Sequence, residues 1–487
     1  MVKFSSIIFG AFLLGSVYCD TIVPCTTATS TSTTISSPTP ILTNNVVYGG
    51  GNTLQGNLNT VQGYTNTVAG ISNTVIGNSN TNLGSVNAVL GSGNTLAGNY
   101  NAVSGDLNSL IGSVNTIAGS GNGIIGNYNA VAGNLNNLNG SGNTVAGSVN
   151  TISGNLNTIA NGNYNTVVGG QNVISNGNLN GILGSSNLVY GSANLVQGNT
   201  NSLLGNYNTV GGSGNLVAGS GNGVAGNSNS VVGSLNQVIG SVNSLNGNQN
   251  TVMGSGNALQ GSSNTLSGSA NTVVGNTNSI LGNLNTLMGS SNTAIGNSNS
   301  ILGNLNTASG LGNTIIGTGN LAAGTANSAI GNSNVAIGNA NSVFGTGNTA
   351  VGCSNTAIGN GNTVLGSTNY AMGNSNNLQG SSNTVIGNSN LAIGAANTIL
   401  GNTNIVGGNL NQIAGSSNTV LGNTNIAQGN SNYVSGSSNA ISGSSNGVVG
   451  NGNLVVGSSN TVISTDAAGC SYPPPPPPPV PVATLPC

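Results

Sequence analysis

The chain has 487 residues, a formal net charge of −2 and no His, with one basic and three acidic side chains. Nucleic acids and anionic membranes attract proteins through Lys and Arg, so this composition excludes both as partners. Acid–base catalysis needs titratable groups held close together, and zinc or copper sites need His or clustered Cys. We therefore expect no enzyme, no metal or other cofactor, and no small-molecule substrate.

The first 48 residues contain two predicted segments. Residues 1–19 have the pattern of a secretory signal peptide, with Lys3 before an apolar run and cleavage expected after Cys19. The run is too short to span a membrane, and no second hydrophobic stretch follows. Residues 20–48 form a Thr/Ser-rich stem that cannot bury a core, so we expect it to be extended and disordered. The protein is thus predicted to be secreted, into the extracellular space or a cell wall.

From residue 49 to 464 the chain repeats a heptad. Its order is Gly, two variable residues, Asn, a variable residue, an aliphatic residue and a last variable residue. Asn holds position four in every unit, and position six is Val, Ile, Leu or Ala except at Asn82. A strict short period over most of a chain is typical of one structural unit stacked many times. The function is then expected to come from the array and not from a pocket.

The heptad favours a strand followed by a corner. Positions four and six are two residues apart, so in a strand both side chains point to the same face, which we predict to be the interior. Positions three, five and seven then point outward, and Gly supplies the corner. A helix is disfavoured, because each Gly would destabilise it by about 1 kcal/mol.

Two one-residue insertions indicate how many heptads make a coil. They lie near Asn161 and Asn176, separated by two heptads plus one residue. In a two-heptad coil both extra residues fall at the same corner, whereas a three-heptad coil would not stack them. We predict an all-β fold, a two-sided parallel β-solenoid or β-roll with about 14 residues per coil. Its inward Asn amides should form ladders between coils.

Residues 465–487 form a proline- and cysteine-containing tail. Its seven consecutive prolines, Pro473 to Pro479, would form a stiff polyproline II spacer, docking strip or wall anchor. Four cysteines remain after signal cleavage, at Cys25, Cys353, Cys470 and Cys487. A Cys470–Cys487 pair would staple the tail, and Cys353, alone in its repeat unit, is interpreted as a small filler.

The heptad also resembles a known family. Asn57-Leu-Asn-Thr-Val-Gln-Gly63 and Ser417-Asn-Thr-Val-Leu-Gly422 are similar to the N-x-V-x-G units of the ice-recrystallisation-inhibition domains of grasses. The resemblance implies a β-roll that binds ice on a flat outward face. It covers the whole repeat, although this repeat is several-fold longer and no leucine-rich segment accompanies it.

A second resemblance concerns bacterial trimeric autotransporter adhesins. Gly331-Asn-Ser-Asn-Val-Ala-Ile-Gly338 looks like the repeats of their heads, which are also β-rolls. That resemblance implies lateral association through outward aliphatic side chains. The coiled-coil stalk and the membrane barrel of those adhesins are missing from this sequence.

Three functions follow from these patterns. A secreted repeat protein that binds ice and inhibits its recrystallisation needs a flat face with hydroxyl groups. An extracellular structural or adhesive protein of a wall, coat or fibre needs apolar stripes that pack side by side. An inert spacer needs neither. The partner is accordingly ice or an extracellular surface, with self-association through outward residues such as Ile295, Ile330, Ile337 and Phe344.

The predicted binding site is a column of hydroxyl groups. In a two-heptad coil, position five of every second heptad stacks into one column. In the most regular stretch that column consists of Thr272, Thr286, Ser300, Thr314, Ser328, Ser342 and Thr356. A shorter column on the opposite sheet consists of Thr251, Thr265, Ser279, Thr293 and Thr307. Thr is also a common residue on solvated strands, so a structural explanation stays open.

The repeat nearly excludes N-glycosylation. Two residues after each regular Asn comes another Asn or an aliphatic residue, so the Asn-x-Ser/Thr acceptor triplet does not arise within the pattern. The one exception is Asn139-Gly-Ser141. Faces without N-linked glycans suit a contact surface, but the lack of acceptor triplets also follows from the heptad pattern itself.

Overall fold

The structure is a computed structural model that describes residues 34–35 and 44–464. The predicted signal peptide, the proline-rich tail and most of the predicted stem lie outside these residues. The chain divides into two compact units, one ending at Ser113 and one beginning at Val114. Within the described ranges every regular element is a β-strand, and no helix there is long and apolar enough to cross a membrane.

The first unit contains two parallel sheets in which paired residues are 14 positions apart from residue 46 onward, as in the pairing of Thr53 with Thr67, whereas Thr34 pairs with Thr53. Val46–Tyr48, just before residue 49, already pairs in register with Thr60–Gln62. The strands of one sheet are Thr34–Ile35, Thr53–Gln55, Thr67–Ala69, Thr81–Leu83, Thr95–Ala97 and Ser109–Ile111. The strands of the other are Val46–Tyr48, Thr60–Gln62, Thr74–Ile76, Ala88–Leu90 and Ala102–Ser104.

The second unit also contains two parallel sheets, here named sheet 1 and sheet 2, and successive heptads alternate between them. The strands of sheet 1 are Gly123–Ile125, Asn137–Asn139, Thr151–Ser153, Thr166–Val168, Gly181–Leu183, Leu195–Gln197, Thr209–Gly211, Gly223–Ala225, Gln237–Ile239, Thr251–Met253, Thr265–Ser267, Ser279–Leu281, Thr293–Asn297, Thr307–Leu311, Leu321–Thr325, Val335–Asn339, Thr349–Cys353, Thr363–Ser367, Asn377–Ser381, Leu391–Ala395, Ile405–Gly407, Thr419–Leu421, Tyr433–Ser435, Gly447–Val449 and Thr461–Ile463. The strands of sheet 2 are Thr116–Ala118, Ala130–Ala132, Thr144–Ala146, Thr158–Ala160, Val173–Ser175, Leu188–Tyr190, Ser202–Leu204, Leu216–Ala218, Ser230–Val232, Ser244–Asn246, Ala258–Gln260, Thr272–Val274, Thr286–Met288, Ser300–Asn304, Thr314–Thr318, Ser328–Asn332, Ser342–Thr346, Thr356–Asn360, Tyr370–Asn374, Thr384–Ile386, Thr398–Leu400, Gln412–Ala414, Ile426–Gln428, Ala440–Ser442 and Leu454–Val456.

Each heptad makes one strand and one corner. Position three has a positive φ in every heptad of the repeat, as at Gly347 (65°). The φ of position one is positive in nearly every heptad, as at Gly345 (115°). Most heptads carry a residue other than Gly at position three, such as Val242 at 60°, a conformation that L-residues rarely adopt. Backbone bonds between coils stabilise it: the Gly347 N–H donates to the Asn332 carbonyl oxygen at 2.9 Å.

The two-sided solenoid is confirmed. Positions four and six are buried along both units, for example Asn222 and Val224 at 1% and 3% exposure. The insertions stack at one corner, where the Asn161 Nδ2 donates to the Asn176 Oδ1 at 3.3 Å. A coil of two heptads therefore accommodates both extra residues without breaking the register of the strands.

The predicted Asn ladder is present. The backbone N–H and the Nδ2 of Asn222 both donate to the Oδ1 of Asn208, at 3.0 Å each. The Nδ2 also donates to the carbonyl oxygen of Gly233 at 2.8 Å, in the corner of the next coil. The Oδ1 of Asn222 in turn accepts from the backbone N–H and the Nδ2 of Asn236. A Leu side chain supplies neither the amide donors nor the oxygen acceptor, so an apolar residue at position four would leave buried groups of both neighbouring coils without partners.

We expect Asn222→Leu to lower local stability by roughly 2–4 kcal/mol, because several buried groups lose partners at about 1–3 kcal/mol each. Amide hydrogen exchange of peptides from the neighbouring coils measures the loss. Asn246→Leu is the matched control, since Asn246 is exposed at position seven and its side chain has no hydrogen bond within the described residues. Equal exchange in both variants would contradict a structural role for the ladder.

Two residues depart from the pattern. Asn82 occupies an aliphatic position in the first unit, where its Oδ1 accepts from the Asn87 Nδ2 at 2.8 Å and its own Nδ2 has no partner among the described residues. Cys353 is disulfide-bonded. Its interpretation as a small filler is therefore wrong, because sequence spacing alone cannot reveal which sulfur atoms meet.

Candidate functional site

The seven predicted hydroxyl residues form one column on sheet 2. Thr272 pairs with Thr286, and each later member pairs with the next, ending with Ser342 and Thr356. Adjacent strands are about 4.8 Å apart, so the column extends over about 29 Å. The heptad thus places one hydroxyl per coil on the same line.

The hydroxyl column faces outward. Thr272, Thr286, Ser300 and Thr314 are exposed, while the last three members are partly exposed. None of the seven hydroxyl groups is hydrogen-bonded to another described residue, so they are available to solvent or a ligand. Thr side chains are stiff at χ1 because they are β-branched, and a row of them loses little entropy on contact with a surface.

A column of large apolar side chains runs beside the hydroxyls. Position seven of sheet 2 is apolar in ten successive coils, and most of these side chains are at least one-third exposed. The column consists of Val274, Met288, Leu302, Ile316, Ile330, Phe344, Ile358, Met372, Ile386 and Leu400. Sheet 2 therefore presents hydroxyl and aliphatic groups side by side.

The predicted apolar stripe needs a correction. Ile330 and Phe344 are neighbours on sheet 2, whereas Ile295 and Ile337 lie on sheet 1. These four residues do not share a surface, because consecutive heptads occupy opposite sheets. The stripe that does exist is the apolar column of sheet 2.

Sheet 1 is less regular. Its predicted hydroxyls at 251, 265, 279, 293 and 307 are also in register. Their position-seven neighbours are a mixture of apolar and small polar residues, as at Met253, Ser267 and Leu281. Leu321 then ends the hydroxyl column. Of the two faces, sheet 2 is the longer and more uniform.

The hydroxyl column overlaps a block of longer strands. From Thr293–Asn297 to Asn377–Ser381 the strands have five residues instead of three. Many position-six residues here are Ala, and the ladder amides gain a bond, as where the Asn341 Nδ2 donates to the Ile337 carbonyl oxygen at 2.9 Å. The longer strands add backbone pairing between adjacent coils, which stiffens the part of the solenoid that carries the hydroxyl column.

Position two has a role that the residue pattern did not reveal. Its Asn or Ser side chain accepts a corner N–H of the preceding coil: Ser290 N–H donates to Asn304 Oδ1 at 2.9 Å. Asn227 N–H likewise donates to Ser241 Oγ at 3.2 Å. The signal in the sequence is the frequent Asn or Ser directly after Gly. These residues satisfy corner groups and belong to the scaffold.

The faces of the second unit are uncharged. Residues 114–464 include no Asp, Glu, Lys, Arg or His, and no group of metal-binding side chains occurs in the described part of the chain. Sheet 2 can therefore contact a ligand only through uncharged groups, which are hydroxyl groups, apolar side chains and, outside the hydroxyl column, amides such as those of Asn246 and Gln260.

A family model matches residues 138–240 and 390–468 of the chain. That family is the grass antifreeze beta roll. The hydroxyl column lies between the two matched segments and is built from the same heptad. No curated protein matches the chain. The resemblance to ice-binding domains is thus supported and points away from enzymes, while the resemblance to adhesin heads stays a prediction.

Proposed function

We propose that the protein is a secreted ice-binding repeat protein that inhibits ice recrystallisation through sheet 2. The observation that carries the proposal is the in-register hydroxyl column on an uncharged face. The similarity to the grass antifreeze beta roll supports ice as the partner.

The face is suited to a solid, repeating ligand. Its hydroxyl and aliphatic columns recur once per coil, so each coil offers the same two groups to a surface. The Asn ladder hydrogen-bonds each coil to the next and so holds the hydroxyl and aliphatic columns rigidly, which reduces the conformational entropy lost on contact with a surface. The absence of charge from residues 114–464 removes the strongly hydrated groups that would compete with an ordered water lattice.

The test is the double variant Thr286→Lys and Thr314→Lys. Two ammonium groups within the column should raise the protein concentration needed for recrystallisation inhibition by about tenfold, equivalent to about 1.4 kcal/mol. Circular dichroism should show an unchanged β signal. The matched control is Thr265→Lys with Thr293→Lys on sheet 1, at the same two-coil spacing. Loss of inhibition in the control alone would place the ice-binding face on sheet 1.

The uninterrupted apolar column favours a second candidate function, an extracellular structural or adhesive protein that assembles laterally through sheet 2. Equilibrium sedimentation of the unmodified protein distinguishes the two functions. Assemblies without any effect on ice growth or crystal shape would support the structural function and overturn the ice-binding one.

A further inference from the structure

The only N-glycosylation triplet of the chain, Asn139-Gly140-Ser141, lies at the outer surface of the second unit. Asn139 ends the sheet 1 strand Asn137–Asn139, at position seven of its heptad, and is exposed. A triplet of this kind is the acceptor for N-linked oligosaccharides in secreted proteins. The pattern of the repeat removes it everywhere else, so Asn139 stands apart from the many other Asn residues.

The side chain of Asn139 has no structural task. It makes no hydrogen bond with any described residue, so a sugar on its Nδ2 would remove no bond from the solenoid. Asn136, at position four, is the opposite case: its Nδ2 donates to Asn122 Oδ1 at 3.0 Å and to the Gly147 carbonyl oxygen at 2.9 Å. A modification of that kind is compatible with position seven and not with position four.

The surroundings of Asn139 leave room for a glycan. Its in-register neighbours are Ile125 in the preceding coil and Ser153 in the following coil, both exposed at position seven. Ser141 lies in the corner, where its Oγ accepts from the Asn127 N–H at 3.0 Å. Since acceptor recognition requires this hydroxyl, transfer would precede closure of the corner, while the chain is being made.

We propose that Asn139 carries an N-linked oligosaccharide. The Asn139 Nδ2 attacks the first sugar carbon of a lipid-pyrophosphate-linked oligosaccharide and forms the N–C bond. The bond from that carbon to the pyrophosphate oxygen breaks, the lipid pyrophosphate leaves, and the amide proton passes to a base. The inference rests on the secretion included in the proposed function. It places the single glycan on sheet 1 and leaves the hydroxyl column of sheet 2 bare.

The experiment uses the full chain secreted from a eukaryotic cell line. Peptide N-glycanase in ¹⁸O-water converts a glycosylated Asn into labelled Asp, and mass spectrometry of the peptide identifies the position. We expect label at residue 139 in the unmodified protein and none in Asn139→Gln or Ser141→Ala. Met288→Asn provides the positive control, because Gly289 and Ser290 follow it and complete the same triplet on sheet 2.

Label at the Met288→Asn position without label at residue 139 would overturn the proposal, since the cell then modifies this solenoid but not the native triplet. Absence of label from both positions would overturn it as well. Protein made in bacteria, which lacks the glycan, is assayed separately for recrystallisation inhibition. A failed glycan test with intact inhibition therefore leaves ice binding standing, and the reverse result removes ice binding alone.

Discussion

Met288→Asn, produced in cells that attach N-linked glycans, is expected to lose inhibition of ice recrystallisation. Met288 is 47% exposed on sheet 2, in register with Val274 and Leu302 and two residues from Thr286 in the hydroxyl column. A hydrated oligosaccharide at this position would keep several coils away from any flat surface. The concentration needed for inhibition should rise by about tenfold or more, equivalent to a loss of at least about 1.4 kcal/mol of binding free energy.

Leu365→Asn is the matched control. Leu365 is position seven of sheet 1, and Gly366 and Ser367 complete the acceptor triplet there. Its glycan should leave inhibition unchanged. Bacterial production of both variants separates the effect of the sugar from that of the amino acid. If glycosylated Met288→Asn keeps full inhibition while Leu365→Asn loses it, sheet 2 is not the face that contacts ice.

The fold followed from the sequence because two inward positions are so strongly constrained. Asn222 takes part in six hydrogen bonds between its own coil and its neighbours, and no other side chain places a carboxamide at the same distance from the backbone. The spacing of Asn161 and Asn176 then distinguished two heptads per coil from three. The invariant Asn at position four and the aliphatic residue at position six predicted the interior of the solenoid. The spacing of the two insertions predicted the number of its sides.

The outward surface was harder to predict because its residues vary. Ile295 and Ile330 have the same heptad position but lie on opposite sheets, so position alone does not define a stripe. The hydroxyl column was predicted correctly as a geometric row because its members were chosen at two-heptad spacing. Its role in binding depends on the ligand, which residue spacing does not reveal.

Corner geometry was the other feature that the sequence concealed. Position three is left-handed whether it holds Gly347, Val242 or Leu305, and only Gly would have indicated a positive φ. The cost of this conformation is about 1–3 kcal/mol for a residue other than Gly. The hydrogen bonds that each corner forms with the adjacent coil offset it, so residue type at position three carries almost no signal.

Gly345→Ala is expected to destabilise its coil by roughly 2–6 kcal/mol, the sum of backbone strain and overpacking. Gly345 has a φ of 115°, and an added Cβ would lie far inside van der Waals contact with the carbonyl oxygen of Gly359 in the next coil. That oxygen also accepts the Asn348 Nδ2. Moving it away from the new methyl group would therefore weaken the Asn ladder as well.

Gly347→Ala, two residues along the same corner, separates this steric effect from a general intolerance of corner substitutions. Gly347 has a φ of 65°, and an added Cβ would meet no atom within 4 Å. Ala340 and Ala326 already occupy position three at 55° and 54°, so the cost should be about 1 kcal/mol. Hydrogen exchange of peptides from the coils around residues 331–373 should accelerate strongly in Gly345→Ala and slightly in Gly347→Ala. Similar acceleration in both variants would show that close stacking of coils is not what confines position one to Gly, since only Gly345 opposes a backbone oxygen.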